Sequence, residues 1–266
     1  MRRRGYLVVR KALLAVAGVA LGLAAAAAML FRTRAHPVKP ERPGCQVGLT
    51  TPGIDVSYYQ ETIDWQRVQR AGIRFAFIRL SDGATLRDSM FATNWAESKR
   101  VGVVRGAYQF FRPDQSVTAQ ADLMIAAMHG RDHDDLPPVI DIEVDGGLTA
   151  PVVAGRAQAW IERVRTKLGV EPIVYTGGDL WRNGGGEPLA SQALWLAHYT
   201  QGCPTLPAPW ARWTFWQHTD RGAIPGIEGP VDLDLFAGTL GELNTARTRA
   251  VSAGARTNAA TPDRGP

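Results

Sequence analysis

A chain of 266 residues, 45% hydrophobic and with 28 glycines and 17 prolines, is long enough for one sizeable globular domain with tails. Its net charge of +5 belongs to its ends: residues 1–44 hold nine Lys/Arg against one Glu, and residues 242–266 hold four Arg against two acids. The stretch between them has 17 basic against 22 acidic side chains, net −5, which is not the clustered cationic surface that neutralises phosphates and so excludes nucleic acid as a partner.

At the start of the chain Arg2, Arg3, Arg4, Arg10 and Lys11 precede an apolar run, Ala12 to Phe31, followed by Arg32 and Arg34. Over residues 1–35 this reads as a cleavable signal peptide or an N-terminal membrane anchor. The run can just span a bilayer, and its alanine-rich Ala-x-Ala sites suit cleavage, so both readings stand. Arg3-Arg4-Gly5-Tyr6-Leu7 also weakly resembles a twin-arginine signal. Either way the chain is expected to be exported, to a periplasm or the medium, or held at the inner membrane if the segment stays uncleaved. Residues 36–48 are Pro-rich and polar, as a linker is. Cys45 and Cys203 are the only cysteines; in an exported chain a lone pair favours a disulfide over two free thiols. No C-x-x-C spacing supports a metal site, and no cofactor motif is present.

Between 49 and 241 short apolar runs alternate with amphipathic stretches. Strands are predicted at Gly53–Tyr58, Ile73–Leu80, Val103–Phe111, Pro138–Val144, Pro172–Tyr175, Leu194–Tyr199, Trp213–His218 and Val231–Phe236. Helical segments are predicted after Thr62 as cap, with Trp65 and Val68 on one face, from Asp88 to Lys99, over Ser116–Met128 and over Val152–Leu168. Such interleaving suggests a parallel α/β barrel of TIM type, smaller than a standard one, with a doubly wound open sheet as the alternative. Residues 242–266 are Ala, Thr, Arg, Gly and Pro with almost no large apolar side chain, and are read as a disordered tail.

The most informative segment is Leu136-Pro137-Pro138-Val139-Ile140-Asp141-Ile142-Glu143-Val144-Asp145. Residues two apart on a strand share a side. Asp141 and Glu143 should therefore project together, with Ile140, Ile142 and Val144 on the apolar side. Paired carboxylates at a buried strand end raise one pKa, as a general acid requires. Asp145 is read as a surface residue. Asp55, in Gly53-Ile54-Asp55-Val56-Ser57, and Asp232, in Val231-Asp232-Leu233-Asp234-Leu235-Phe236, again put acids into apolar strand patterns. In a barrel such strand ends converge on one mouth. Tyr58, Tyr108, Phe110, Tyr175, Trp195, Tyr199, Trp213 and Trp216 lie in or beside predicted strands. Sugar rings pack on aromatic faces, and Tyr58, Tyr108, Tyr175, Trp195, Tyr199, Trp216 and Gln217 are the candidates for binding one.

These residues, in order across roughly 50–240, resemble the family 25 glycoside hydrolases, lysozymes that cleave between N-acetylmuramic acid and N-acetylglucosamine. Gly53-Ile54-Asp55-Val56-Ser57-Tyr58-Tyr59-Gln60 is similar to the family's opening G-I-D-V-S-x-x-Q, and Ile63-Asp64-Trp65 with Gly72-Ile73-Arg74-Phe75 continues it. Gly106-Ala107-Tyr108-Gln109-Phe110 resembles G-x-Y-H-F, and Ile140-Asp141-Ile142-Glu143 the L-D-x-E strand. Val174-Tyr175-Thr176, Leu194-Trp195-Leu196-Ala197-x-Tyr199, Trp216-Gln217 and Val231-Asp232-Leu233-Asp234-x-Phe236 follow in order. The resemblance implies a single irregular (β/α) barrel with fewer than eight helices, a groove at its mouth, and a monomer that acts on peptidoglycan glycan strands without a cofactor. Carried over, Glu143 is the acid and Asp141, Asp55 and Asp232 its acidic companions, with Asp141 ionised to keep the acid's pKa raised. Arg79-Leu80-Ser81-Asp82-Gly83 departs from the usual Lys-Ala-Thr-Glu-Gly, and Gln109 stands for the usual His; both departures bear on subsites and specificity. A chitinase-like barrel glycosidase would need further aspartates where Pro137 and Val139 stand. A non-catalytic, membrane-tethered glycan-binding protein would have no need of Asp141 beside Glu143.

Overall fold

The computed structural model describes residues 42, 43, 45, 48–132 and 134–245. The expected export segment 1–35, most of the linker and the tail beyond 245 lie outside the described residues. Among the described residues no helix is long and apolar enough to cross a membrane.

Eight strands close on themselves: β1 Thr51–Val56, β2 Phe75–Asp82, β3 Val104–Phe110, β4 Val139–Ile142, β5 Ile173–Gly177, β6 Leu194–Ala197, β7 Phe215–Gly222 and β8 Val231–Phe236. Each pairs with its neighbours in sequence, and β8 pairs with β1 to shut the barrel. An open doubly wound sheet is therefore excluded. The strands β1 to β7 run parallel, as the pattern of apolar runs suggested. The last one does not: β8 is antiparallel to both β7 and β1. The cause is the connection over 223–230, since a parallel return needs a crossover of a dozen or more residues.

Four α-helices are described where a full barrel has eight: α1 Trp65–Arg70, α2 Phe91–Arg100, α3 Val117–Met128 and α4 Ala150–Leu168. The cap of α1 is Asp64, whose carboxylate accepts from the Arg67 N–H (3.0 Å), and not Thr62. Trp65 and Val68 point inward as expected. Asp88 does not start α2; it accepts from Met90 N–H and from Arg79, three residues before the helix begins. Ser116 caps α3 through Ala119 N–H. The α4 helix takes Pro151 in its first turn and ends at Gly169, whose φ of 69° is the left-handed conformation glycine adopts freely.

Alternation along each strand sorts the core into an inside and an outside. Ala107, Ile140, Ile142, Val174, Leu194 and Leu196 face outward, under Met124, Val153, Trp160 and Val164 of α3 and α4. Ile54, Val56, Ala76 and Ile78 face outward to Trp65 and Val68 of α1. Inside the barrel the rings stack: Phe77 lies on Trp195 (4.3 Å between centroids), Phe75 meets Phe215 edge-on (5.3 Å), and Phe215 tilts against Phe236 (5.2 Å). Two glycines make room for them. A Cβ at Gly53 would lie 2.3 Å from the Phe75 ring, and one at Gly106 would lie 2.7 Å from Phe77. Gly53→Ala is accordingly expected to overpack the barrel and cost about 1–3 kcal/mol or more, read as a lower urea midpoint with an unchanged slope. An unchanged midpoint would show that Phe75 has somewhere to go.

A disulfide joins Cys45 to Cys203 across 158 residues of sequence, both cysteines being exposed. Beside it Arg42–Pro43 pairs antiparallel with Thr205–Leu206, so two links tie the segment between β6 and β7 to the chain ahead of the barrel.

Candidate active site

Side chains at the carboxyl ends of the parallel strands face the mouth. Because β8 runs the other way, it delivers its first residues there: Asp232 is register partner to Asp55, and Asp234 to Gly53. Asp55 from β1, Asp141 and Glu143 from the end of β4, and Asp232 from β8 thus line one cavity of about 360 Å³. Tyr108, Tyr175, Trp195, Tyr199 and Gln217 line it too. Trp195 and Tyr175 are buried at its base, their rings 4.5 Å apart, while Tyr199 stands half exposed on its wall.

Two clusters of acids face each other. In the first, Asp141 is buried (3% exposed) and Glu143 stands further out at the rim, with the two carboxyls hydrogen-bonded. Burial pushes the Asp141 carboxyl well above its ordinary value, and the nearby Glu143 adds to this. Glu143 is also raised, because the surrounding protein strips much of its hydration, although the hydrogen bond from Asp141 opposes the shift. Burial thus works against the expectation that Asp141 stays ionised. Low dielectric disfavours charge on either carboxyl, so the pair holds its last proton between them.

The second cluster is Asp55 with Asp232 and Asp234. Burial raises Asp55 well above the carboxylate range, and Asp234 and Asp232 push it further. Asp234 is raised well above the range by burial, against the opposing hydrogen bond from the Trp195 indole (2.8 Å). Asp232, closer to solvent, is raised by burial to about 6. Three carboxyls this close hold protons between them. The Asp234 side chain, 1% exposed, was not among the site residues read from sequence. Its signal was present, since it lies two residues after Asp232 and so on the same face.

Gln217 joins the second cluster to the tyrosines of the cavity wall. Its Nε2 donates to Asp55 Oδ2 (2.7 Å), and its Oε1 accepts from the hydroxyls of Tyr175 (2.8 Å) and Tyr199 (2.9 Å). Its amide is thus engaged within the protein, and it orients two tyrosines and an acid. Burial raises both tyrosine hydroxyls above their usual value, so they remain protonated donors.

Other residues sit elsewhere than expected. Trp216 does not line the cavity: its indole donates to His198 O (2.8 Å), and its ring lies beside Trp213 and His218 on the outer side of β7. The Tyr58 ring packs against the Arg79 guanidinium (4.6 Å), and its neighbour Tyr59 lines the cavity in its stead. Gln109 is fully buried beneath α4, where Trp160 Nε1 donates to it and it donates to Ser81, so its exchange from His does not alter the groove surface. Arg79 and Asp82 do line it. Asp88 holds Arg79 (3.0 Å), and Arg112 grips Asp82 with two hydrogen bonds (2.6 and 2.7 Å). Sequence reasoning missed the Arg112 contact, which depends on a partner thirty residues away.

The raised acids fix how stability depends on pH. Asp55, Asp141, Asp232 and Asp234 all hold protons more tightly folded than unfolded. From the ordinary carboxylate pKa up to the raised values the native state binds more protons, so stability is greatest on the acid side and falls as pH rises through that interval. Urea midpoints are expected to drop from about pH 4 toward pH 8, and Asp232→Asn should flatten the part of the slope that ends at about 6. A midpoint that rises over this range would contradict the assignment.

Comparison with known proteins gives a consistent picture. The sequence profile described as "Glycosyl hydrolases family 25" matches residues 54–227. An Escherichia coli protein named YegX, described as uncharacterized, is 39% identical over 213 residues, covering 78% of this chain and 77% of its own length. Lysozyme M1 of Streptomyces globisporus is 34% identical over 203 residues, covering 72% of this chain and 69% of its own. The crystal structure of a bacterial lysozyme from Streptomyces coelicolor superposes with a TM-score of 0.70 at 31% identity, over 75% of this chain and 98% of the other.

Proposed function

Since this chain belongs to glycosyl hydrolase family 25, we propose that it is a lysozyme that hydrolyses the β-1,4 bond between N-acetylmuramic acid and N-acetylglucosamine in peptidoglycan, with Glu143 as general acid. The observation that carries the reading is one cavity in which Glu143 and Asp141 face Asp55 and Asp232 over a floor of Trp195 and Tyr175.

Cleaving a glycosidic bond puts negative charge on the leaving oxygen and positive charge on the anomeric carbon. Glu143, at the rim and with its pKa raised, is placed to protonate the oxygen. Bound sugar displaces water around it and favours the neutral acid further. The Asp55 and Asp232 cluster offers negative potential on the far side, where Asp232, the most weakly raised of its three acids, ionises first. The aromatic floor packs against the apolar face of a pyranose. A binding protein without catalysis would have no use for these buried acids, which cost stability near neutral pH.

Export accords with this target. A wall polymer lies outside the membrane, and the Cys45–Cys203 disulfide belongs to an oxidising compartment. We place residues 1–35 as the export segment, 36–48 as a spacer, 49–241 as the catalytic barrel acting as a monomer, and 242–266 as a tail. The decisive experiment is clearing of a purified cell-wall suspension, followed by identification of the new reducing ends. N-acetylmuramic acid at those ends is expected; N-acetylglucosamine ends, or intact walls, would refute the proposal.

A further inference from the structure

Two arginines stand on the wall of the acid-lined cavity, and Arg79, from β2, is the buried one (8% exposed). Strict alternation along β2 would turn Arg79 and Ser81 inward and Asp82 outward. The register with β3 slips instead: Arg79 is partner to Tyr108, but Ser81 is partner to the very next residue, Gln109. Such an irregularity re-aims the side chains that follow it. Ser81 turns outward to its bond with Gln109 (2.8 Å), and Asp82 joins Arg79 on the cavity wall. The other arginine, Arg112, is partly exposed and gives two N–H groups to Asp82. Arg79 is fixed more firmly. Asp88, its side chain fully buried, accepts from Arg79 Nε (3.0 Å) and from the backbone N–H groups of Tyr58 and Met90 (2.9 Å each). The rings of Tyr58 (4.6 Å) and Tyr59 (5.1 Å) pack against the guanidinium. Its Nη2 is buried and finds no hydrogen-bond partner among the described residues. A cation is thus held rigidly beside the acids with part of its donor capacity unspent.

We propose that Arg79 is the counter-charge of the Asp141–Glu143 pair, a positioning residue that keeps the pair able to release its proton; the assignment rests on the lysozyme reading above. Burial makes a carboxyl hold its proton, but a general acid must also let it go. When Glu143 gives its proton to the leaving oxygen, negative charge appears beside Asp141 in a space that binding has cleared of water. A cation already fixed in the same cavity lowers the cost of that charge without having to move. Asp88 balances Arg79 in net charge, yet it is not part of the cavity wall, so the guanidinium is the nearer charge to the acids. Its influence at Asp141 accordingly opposes that of burial. The other titratable or charged groups facing this space are Asp55 from β1, Tyr58 and Tyr59 after it, Asp82, Tyr108 from β3, Arg112, Tyr175, Tyr199 and Asp232 from β8. Only Arg112 among them shares the sign of Arg79, and Asp82 claims it.

Arg79→Met and Arg79→Lys separate this role from a structural one, because the first removes the charge and the second keeps it. The pH dependence of kcat and of kcat/KM on solubilised peptidoglycan strands is measured for the wild type and both variants, alongside melting curves. Without the cation the pair holds its proton more tightly. In Arg79→Met the alkaline limb of kcat/KM is therefore expected to move up by about one pH unit, while kcat on the acid side falls about tenfold. In Arg79→Lys the limb is expected to stay at its wild-type position. Lost packing alone would lower the rate at every pH alike. A limb that stays put in a folded Arg79→Met, or that moves as far in Arg79→Lys, would overturn the proposal. Should Arg79→Met not fold, Arg79→Gln takes its place, since its amide can still donate to Asp88. A wild type that cuts no strand would instead refute the lysozyme reading. The counter-charge is then judged by NMR titration of the Asp141 and Glu143 carboxyl carbons, which must titrate at higher pH in the variant without charge and as in the wild type in Arg79→Lys; any other pattern refutes it.

Discussion

Replacing Glu143 by Gln is expected to lower wall-clearing activity by about 10²–10⁴-fold while glycan binding persists. Gln keeps the shape of the rim and can still accept a hydrogen bond from Asp141, but it has no proton to give to a departing oxygen. The two parts of the outcome must appear together. Activity and binding lost in parallel would point to a collapsed groove, and full activity would remove Glu143 from the acid's role. Binding is best followed with an intact glycan fragment, and a melting curve shows that the barrel survives. Since the Glu143 side chain is at the rim and not in the stacked core, stability is expected to stay close to that of the wild type.

Replacing Asp141 by Asn is expected to produce a loss of similar order, roughly 10²-fold or more near neutral pH, with a second and more diagnostic effect. In the native pair the last proton is held by burial and by repulsion between two carboxyls. Asn at 141 removes that repulsion while still offering a hydrogen bond, and Glu143 must then keep its proton by burial alone. The alkaline limb of the pH–rate profile should therefore move to lower pH. Activity of the variant should recover, relative to wild type, as the assay is made more acid. A merely structural role for Asp141 would lower the rate at every pH without moving the limb. The pH dependence of kcat/KM for both proteins, measured on the same soluble substrate, distinguishes the two.

Much of the site was legible because a strand is a strict alternator. The segment Val231–Phe236 was read with its observed bounds, and the facing of Ile140 and Ile142 away from Asp141 followed from spacing alone. The same rule, applied consistently, would have prevented one error. Trp216 and Gln217 are adjacent on a strand, so they cannot both face the groove; Gln217 looks in and Trp216 looks out. It would also have put Gln109 outside, between the inward Tyr108 and the cavity-lining Phe110, and brought Asp234 in alongside Asp232.

What alternation does not carry is direction and long-range pairing. Apolar composition is the same whichever way a strand runs, so the reversal of β8 was readable only from its short approach. Similarly, no local signal says that Gln217 will bridge Asp55, 162 positions earlier, and two tyrosines from other elements. The proton balance of Asp141 and Glu143 belongs to the same class. Sequence places the two carboxyls side by side, but how firmly they hold a proton depends on their depth beneath the rim.

The link between Cys45 and Cys203 sets where this enzyme is complete. It fastens the strip of chain that carries Tyr199 and Thr205, one flank of the binding trough, and it forms only where thiols are oxidised. With the cysteines reduced, that flank is held only by the pairing of Arg42–Pro43 with Thr205–Leu206, so closing the disulfide tightens the trough. Recombinant protein made without an oxidising step would therefore be a different catalyst from the native one, even if its barrel were perfectly folded.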